Sequence, residues 1–241
     1  MPFAYELIAA NEPRLIVELG VHMGDSYFSI CQSCKEHKTD SLVYGIDSWK
    51  GDSQAGFYDE TVFRKVDHHN KINYGEFSYL IRKDFTEALE DFDDESIDLL
   101  HIDGLHSYES VAADFYHWLP KVRKGGIVLL HDTCVREGDF GVWKIWQEIE
   151  SSYPSFHFDH GCGLGIMLKQ ELSGEMRLGK NLWLSESYAE SIKKSFANAG
   201  AMIKMQEKIT EAQNLSSNLS LSEAQLCLLY TSPSPRDLST S

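Results

Sequence analysis

Residues 14–24 read RLIVELGVHMG, an apolar run that stops at the first of two glycines. The run is typical of a buried strand, and the residues after it predict a helix that Asp25 or Ser26 caps and that reaches about His37. Glycines at such a turn let a ligand come close to the backbone, and a helix N-terminus favours a negative group. Strand, glycine loop and helix together form the opening unit of an α/β sheet.

The same alternation of strand and helix recurs through the first 170 residues. Strands are predicted at 14–19, 42–46, 77–81, 96–102 and 127–130, helices at about 25–37, 61–72, 85–92, 108–119 and 140–151, and a closing hairpin at 156–160 and 164–168. Glycines 125 and 126 are expected to turn the chain into the fifth strand. The pattern predicts a Rossmann-like, doubly wound α/β domain with a seven-stranded, mostly parallel sheet and an antiparallel hairpin at its C-terminal end.

Four chemically distinctive residues directly follow predicted strands: Gly20, Asp47, Asp103 and Asp132. In open parallel sheets, ligands bind at the carboxyl ends of the strands, where the strand order reverses. We therefore expect these four residues to share one crevice.

Charge and composition exclude several classes of function. The chain of 241 residues has 22 basic and 37 acidic residues, a formal charge of −15, which disfavours binding to nucleic acid. No apolar run approaches the ~20 residues of a membrane span, and the N-terminus lacks the features of a signal peptide. The pair Cys31 and Cys34 lies in a helical pattern and predicts free thiols rather than a zinc site. A cytoplasmic protein is expected.

The sequence changes character after residue 170. We expect an α/β domain at 1–170 and a helical extension or linker at 171–227, with a helix at 182–213 and a linker or frayed coil at 214–225. Residues 228–241 (LLYTSPSPRDLSTS) resemble translated sequencing-adaptor read-through and are interpreted as a non-native tail.

The segment SIDLLHIDGLHSY at 96–108 carries the most distinctive chemistry. Asp103 and His106 leave the fourth strand together, and His131 and Asp132 leave the fifth. Carboxylates are natural ligands of Mg²⁺, so Asp103 and Asp132 are candidate metal ligands. His106 is a candidate general base, because imidazole titrates near neutral pH. His101 is expected to be a core or supporting histidine.

Five segments together resemble the class I S-adenosylmethionine-dependent methyltransferases. They are VELGVHMGDSY, GIDSWKGD, LLHIDGLHSYE, KGGIVLLHDT and FGVWKIW, in the order and spacing of that family over roughly residues 10–169. The branch they look most like is the one related to macrocin and rhamnosyl O-methyltransferases, whose members are often fused to glycosyltransferases.

The resemblance implies S-adenosylmethionine as cofactor and assigns residues to it. The residues implied in cofactor binding are Glu18, Gly20, Gly24, Asp47, Asp84 and Asp103. Among them, the glycine loop with Glu18 would line the methionine end, Asp47 would bind the ribose hydroxyls and Asp84 would contact the adenine.

The resemblance also implies a metal site and a catalytic pair. Asp103 and Asp132 match positions that hold a divalent metal in the sugar-methylating members, and His106 matches their general base, so Asp103 and His106 are the implied catalytic residues. Those members have an acidic residue beside the second aspartate, where this chain has His131. His131 is therefore the third candidate ligand. The resemblance implies Mg²⁺ as a cofactor on the condition that His131 can replace that acidic residue.

The implied function is methyl transfer from S-adenosylmethionine to a hydroxyl group of a small molecule or sugar, with a fused or associated glycosyltransferase as the expected partner. The main alternative is a non-catalytic cofactor-binding module of a larger glycosyltransferase-type protein. A non-haem iron oxygenase would use His101 and Asp103, but would leave the glycine loop unexplained. A nicotinamide dehydrogenase is disfavoured by the glycine spacing.

Overall fold

The computed structural model describes residues 2–52, 56–170, 176–177, 183–184 and 186–231. The chain divides into two compact units, Met1–Lys194 and Ser195–Ser241. The first unit contains the sheet and the candidate site.

A seven-stranded sheet forms the centre of the first unit. Its strands are β1 (Leu15–Leu19), β2 (Leu42–Ile46), β3 (Ser78–Ile81), β4 (Ile97–Ile102), β5 (Val122–His131), β6 (Ser155–Phe158) and β7 (Leu164–Leu168). They lie in the order β3-β2-β1-β4-β5-β7-β6. The first five strands pair in parallel, and β7 pairs antiparallel with both β5 and β6. This confirms the predicted fold class, including the antiparallel C-terminal hairpin.

Helices connect and cover the strands. They are α1 (Pro2–Asn11), α2 (Asp25–His37), α3 (Glu60–Asn73), α4 (Tyr108–Trp118), α5 (Val142–Ser152) and α6 (Glu186–Thr231), with 3₁₀ turns at Glu87–Asp91 and Leu119–Lys121. Two starts have side-chain caps: Asp59 accepts a hydrogen bond from the Thr61 amide, and Ser107 accepts one from the Ser110 amide. Two short antiparallel ribbons, Gly51–Asp52 with Gly56–Phe57 and Met176–Arg177 with Trp183–Leu184, form separate two-stranded sheets.

The central strands are buried on both faces, as a doubly wound sheet requires. Ile16, Val17 and Leu19 of β1 are all inaccessible to solvent, although their side chains alternate between the two faces. The core continues into α4 and α5, from which Phe115, Trp118 and Ile145 pack against the sheet. The polar strand ends are thereby fixed to a rigid base.

Two local expectations are wrong. Strand β5 starts at Val122, not Ile127, because the chain runs through Gly125 and Gly126 without leaving the sheet. Its pairing with β4 shifts register between Ile97 and Leu99, and Gly125 takes a positive φ of 72°, so the two glycines form an irregularity within the strand rather than a turn before it. The region 85–92, predicted as a helix, contains only a 3₁₀ turn.

Helix α1 is an element that the apolar pattern does not predict. Its buried residues are Phe3, Ala4, Leu7 and Ile8, but further apolar residues stand between them, so no clean stripe with helical spacing is visible. The helix packs on α2.

The expected linker at 214–225 is also wrong, since helix α6 runs through it without a break. Between residues 201 and 231 the chain has neither glycine nor proline, and Ala, Leu, Gln, Glu and Lys favour helix. The predicted boundaries at 170 and 227 stay predictions. The proposed non-native tail begins inside α6, and residues 232–241 lie outside the described residues. Among the described helices, none is long and apolar enough to cross a membrane.

Candidate active site

An open cavity of about 610 Å³ lies at the carboxyl ends of the strands. It sits where the strand order reverses, between β1 and β4, which is the expected ligand position in such a sheet. Its wall includes Gly20, Asp47, Asp84, Asp103 and His106. Of the four residues expected to share one crevice, Gly20, Asp47 and Asp103 line the wall, whereas Asp132 does not line it and contacts His106 and His131, which do.

The loop after β1 comes very close to the loop after β4. Gly20 has φ +90°, and a Cβ on it would lie 2.1 Å from the carbonyl oxygen of Asp103. Gly24 also has φ +90° and precedes the first residue of α2. Gly24 is not part of the cavity wall, but Asp25 and Ser26, in the first turn of α2, are. The glycines thus shape the loop, and the start of the helix faces the cavity.

Asp47 holds this loop in place. One carboxylate oxygen accepts hydrogen bonds from the amides of Val21 (3.0 Å) and His22 (2.9 Å), and the other accepts one from the Trp49 amide (2.6 Å). The carboxylate lies on the cavity wall with both oxygens engaged. It is placed to meet a ligand, but in this structure it acts on the backbone of two loops.

Two carboxylates and two imidazoles form a compact cluster at one side of the cavity. His106 Nε2 lies 3.0 Å from Asp132 Oδ2 and 3.5 Å from Asp103 Oδ1. His131 Nδ1 lies 3.0 Å from Asp132 Oδ1 and 3.4 Å from Asp103 Oδ1. Each imidazole therefore bridges the same two carboxylates, as the convergence of β4 and β5 predicted.

The ring contacts and backbone around the cluster fix its geometry. The His106 ring stacks on Phe140, with centroids 4.7 Å apart and planes 7° from parallel. The Gly141 amide donates a hydrogen bond to the His106 carbonyl (2.7 Å), which ties the start of α5 to this loop. Asp132 has φ +60°, a conformation that aspartate adopts more readily than most residues. A site with strained backbone and a stacked ring is preorganised.

Charge coupling dominates the protonation of the cluster. Burial alone would lower the pKa of His106, but its contacts with Asp103 and Asp132 outweigh burial and raise it to about 9. The same balance raises the pKa of His131 to about 10. Burial would raise the pKa of both carboxyls, yet the histidines hold both below the ordinary range. The groups thus stabilise one another as ion pairs.

The cluster also fits a divalent cation. Asp103, His131 and Asp132 each offer one ligand atom, and these atoms lie within 4.8 Å of one another. Two carboxylate oxygens and one imidazole nitrogen are acceptable to Mg²⁺ or Mn²⁺, which keep water in their remaining positions. His131 can therefore take the place that an acidic residue holds in the resembling family.

Glu18 lies behind the cavity wall rather than on it. Its side chain is fully buried and accepts a hydrogen bond from Ser26 Oγ, and Ser26 itself lines the cavity. Glu18 is also the partner of His101 across β1 and β4, with 3.5 Å between Oε2 and Nδ1. His101 is fully buried, which confirms it as a core histidine. Glu18 acts on the cavity through the hydroxyl of Ser26.

Several cavity residues received no role in the sequence analysis. His22 and Tyr58 stack with centroids 4.7 Å apart, and Ser110 and Asp114 contribute from α4. Ser110 and Asp114 are four residues apart, so they lie on one face of α4, beside the buried face that carries Val111 and Phe115. This spacing is the sequence signal that could have identified them. That face becomes a cavity wall only because Asp84, Phe85 and Thr86 lie opposite.

Comparison with known proteins agrees with the fold. Residues 17–133 match the family model of a methyltransferase domain. The "Uncharacterized protein y4gI" of Sinorhizobium fredii is 48% identical over 166 residues, which are 69% of this chain but 18% of that protein. The chain therefore spans less than a fifth of the length of this relative.

Solved structures of similar fold include three methyltransferases. An O-methyltransferase from Bacillus cereus in complex with SAH is 14% identical, with a TM-score of 0.55 over 70% of this chain and 79% of that one. TomG of Streptomyces achromogenes, an O-methyltransferase in complex with SAM, is 13% identical (TM-score 0.53; 70% and 78% covered). The SAH-bound Podospora anserina methyltransferase PaMTH1 is 14% identical (TM-score 0.54; 70% and 77% covered). Residues 17–133 thus match a methyltransferase-domain model, and the chain shares its fold with these solved structures.

Proposed function

We propose that this chain transfers a methyl group from S-adenosylmethionine to a hydroxyl group. The observation that carries the proposal is the cavity at the switch point of a methyltransferase fold, with a carboxylate–imidazole cluster on one side. The start of α2 favours the carboxylate of the methionine part, and Asp47 is placed to accept hydrogen bonds from ribose. These positions support the assignment of Gly20, Asp47 and Asp103 to the cofactor, with Gly24 shaping the loop from outside the cavity wall.

The chemistry asks little of the protein beyond alignment and proton removal. The acceptor oxygen attacks the methyl carbon, the carbon–sulfur bond breaks, and its electron pair returns to sulfur to give S-adenosylhomocysteine. Holding the two reactants in line can contribute about 7–11 kcal/mol in favourable cases. His106 lies on the cavity wall and takes the proton of the hydroxyl in its neutral form; because its contacts with Asp103 and Asp132 raise its pKa to about 9, that form grows as the pH rises toward 9.

Asp103, His131 and Asp132 would hold a divalent cation, for which Mg²⁺ is our candidate. A bound cation would supply Lewis-acid stabilisation of the acceptor oxygen as the hydroxyl loses its proton. The residues themselves keep the cluster compact, and Phe140 keeps the His106 ring in its plane.

The acceptor we propose is a sugar hydroxyl, within a protein that carries or binds a glycosyltransferase. Two features support it: the sequence segments resemble sugar O-methyltransferases, and the ring of Tyr58, stacked on His22, lines the cavity. Aromatic faces suit sugar rings. A relative much longer than this chain is consistent with a domain that works beside others.

Titration with S-adenosylhomocysteine followed by a transfer assay tests the function. We expect calorimetric binding, and transfer of label from methyl-labelled S-adenosylmethionine to members of a panel of free sugars and methyl glycosides. Catechol, a non-sugar hydroxyl compound, is the control acceptor. Binding without transfer to any acceptor would favour the non-catalytic module, transfer to catechol alone would remove the sugar assignment, and absence of binding would overturn the proposal.

Removal of divalent cations tests the metal site separately. Treatment with EDTA is expected to reduce transfer at least about tenfold, because the acceptor loses its Lewis acid, and added Mg²⁺ should restore it. Asp132→Asn should show the same loss without restoration, whereas Asp93→Asn, an exposed carboxyl outside the cavity, should behave as wild type. Full activity in EDTA would contradict the metal assignment and leave methyl transfer itself intact.

A further inference from the structure

Asp114 is a carboxyl group in the cavity wall without a partner. It lies on α4, one turn after Ser110, and both side chains line the cavity. Among the described residues, no hydrogen bond or ion pair to its carboxyl is found. The carboxyl is therefore available to accept a hydrogen bond from a ligand in the cavity.

The surroundings of Asp114 indicate what kind of ligand group would bind there. A Cβ on Gly104 would meet Phe85 Cε2 at 2.5 Å and Asp114 Oδ2 at 3.5 Å, so the ring and the carboxyl converge where this glycine leaves room. Burial without a compensating charge raises the pKa of Asp114 to about 7. Asp84 and Thr86 stand in the same part of the wall. This part of the cavity suits a flat, uncharged group with a donor at its edge, and it disfavours an anion.

The other parts of the cavity are already suited to other groups. The start of α2 suits a carboxylate, and the cluster around His106 suits a hydroxyl and a cation. The remaining flat group of S-adenosylmethionine is the adenine, whose 6-amino group is a donor. We propose that the carboxyl group of Asp114 accepts a hydrogen bond from the 6-amino group of the adenine and thereby selects 6-amino over 6-oxo purines. The inference rests on the proposed function.

The test compares S-adenosylhomocysteine with S-inosylhomocysteine, in which the amino group is replaced by a carbonyl oxygen. At pH about 8.5, above the pKa of Asp114, its carboxylate attracts the 6-amino group and repels the 6-oxo group, so wild type is expected to bind the adenosyl compound at least about 30-fold more tightly. Asp114→Ala should weaken binding of S-adenosylhomocysteine about 10-fold or more, and it should bring the ratio of the two dissociation constants below about 3. Asp114→Asn, whose amide both accepts and donates, should improve binding of the inosyl compound.

Two control variants make the outcomes decisive. Glu109→Ala removes an exposed carboxyl from the same helix and should leave both dissociation constants unchanged. Asp84→Asn tests the neighbouring carboxyl, and if it, rather than Asp114→Ala, abolishes the selectivity, the inference is overturned. It is equally overturned if Asp114→Ala, with a wild-type thermal unfolding curve, keeps the wild-type ratio. If wild type binds neither compound, the proposed function fails instead.

Discussion

The Gly20→Ala protein is expected to be about 2–5 kcal/mol less stable than wild type. Two effects add: an alanine at φ +90° is strained, and its Cβ would lie 2.1 Å from the carbonyl oxygen of Asp103. Since that oxygen belongs to the backbone at the end of β4, it cannot rotate away as a side chain could. The loops after β1 and β4 would have to separate, which should also abolish binding of S-adenosylhomocysteine.

Gly138→Ala is the matched control for Gly20→Ala. Gly138 also has a positive φ, +56°, but a Cβ there would meet nothing within 4 Å. Gly138→Ala should therefore lower the free energy of unfolding only through the strained backbone conformation, by about 1–2 kcal/mol. Urea denaturation followed by tryptophan fluorescence reports on the first unit, since all five tryptophans precede residue 195. Equal midpoints for the two variants would show that the close approach of the two loops is not energetically important.

The His106→Ala protein is expected to lose turnover by about 10²–10⁴-fold. The imidazole lies on the cavity wall 3.0 Å from Asp132, and in the proposed mechanism it alone receives the proton of the acceptor. Its removal should change the affinity for S-adenosylhomocysteine by less than about threefold, because that product lacks the acceptor. Turnover is measured with the acceptor that the labelled panel identifies, and affinity by calorimetry.

His68→Ala, an exposed histidine on α3, serves as the control and should retain wild-type turnover. His106→Gln separates chemistry from packing, since glutamine can still donate to the carboxylates but is not a base. If His106→Gln folds like wild type and keeps turnover within about tenfold, His106 is not the base. A parallel fall in affinity for S-adenosylhomocysteine would instead assign His106 to the cofactor.

The strands and helices that pack against one another on regular patterns could be predicted from the sequence. β1, β2 and β4 have apolar runs bounded by polar residues or glycine, and the structure places them within one residue of the prediction. The start of β5 was predicted too late, because glycines usually end a strand. In the structure β5 continues through Gly125 and Gly126, and β4 pairs with it on both sides of the register shift. The C-terminal helix was predicted to end at residue 213, because the Ser and Asn residues in 214–220 are typical of a linker. In the structure α6 continues to Thr231.

The candidate site could be predicted in part. Gly20, Asp47, Asp103 and Asp132 follow strands, and parallel strands deliver their ends to one edge, so their convergence follows from topology. The role of Asp47 toward backbone amides and the position of Glu18 behind Ser26 depend on side-chain directions, which a motif does not specify. Asp114 was not found, because nothing adjacent to it in the chain shows that α4 borders the cavity.

The sequence by itself determined the alternation of strand and helix, the glycine loop after β1 and the acidic and imidazole residues at the strand ends. These are local properties, set by apolar periodicity, backbone conformation and side-chain chemistry. Only the tertiary structure decided that His106 and His131 bridge the same two carboxylates, that Phe140 stacks on His106 and that Asp114 faces the cavity with no partner among the residues that the structure describes. Those relations join segments separated by up to dozens of residues, and their distances follow from how the β4, β5 and α4 ends pack against one another.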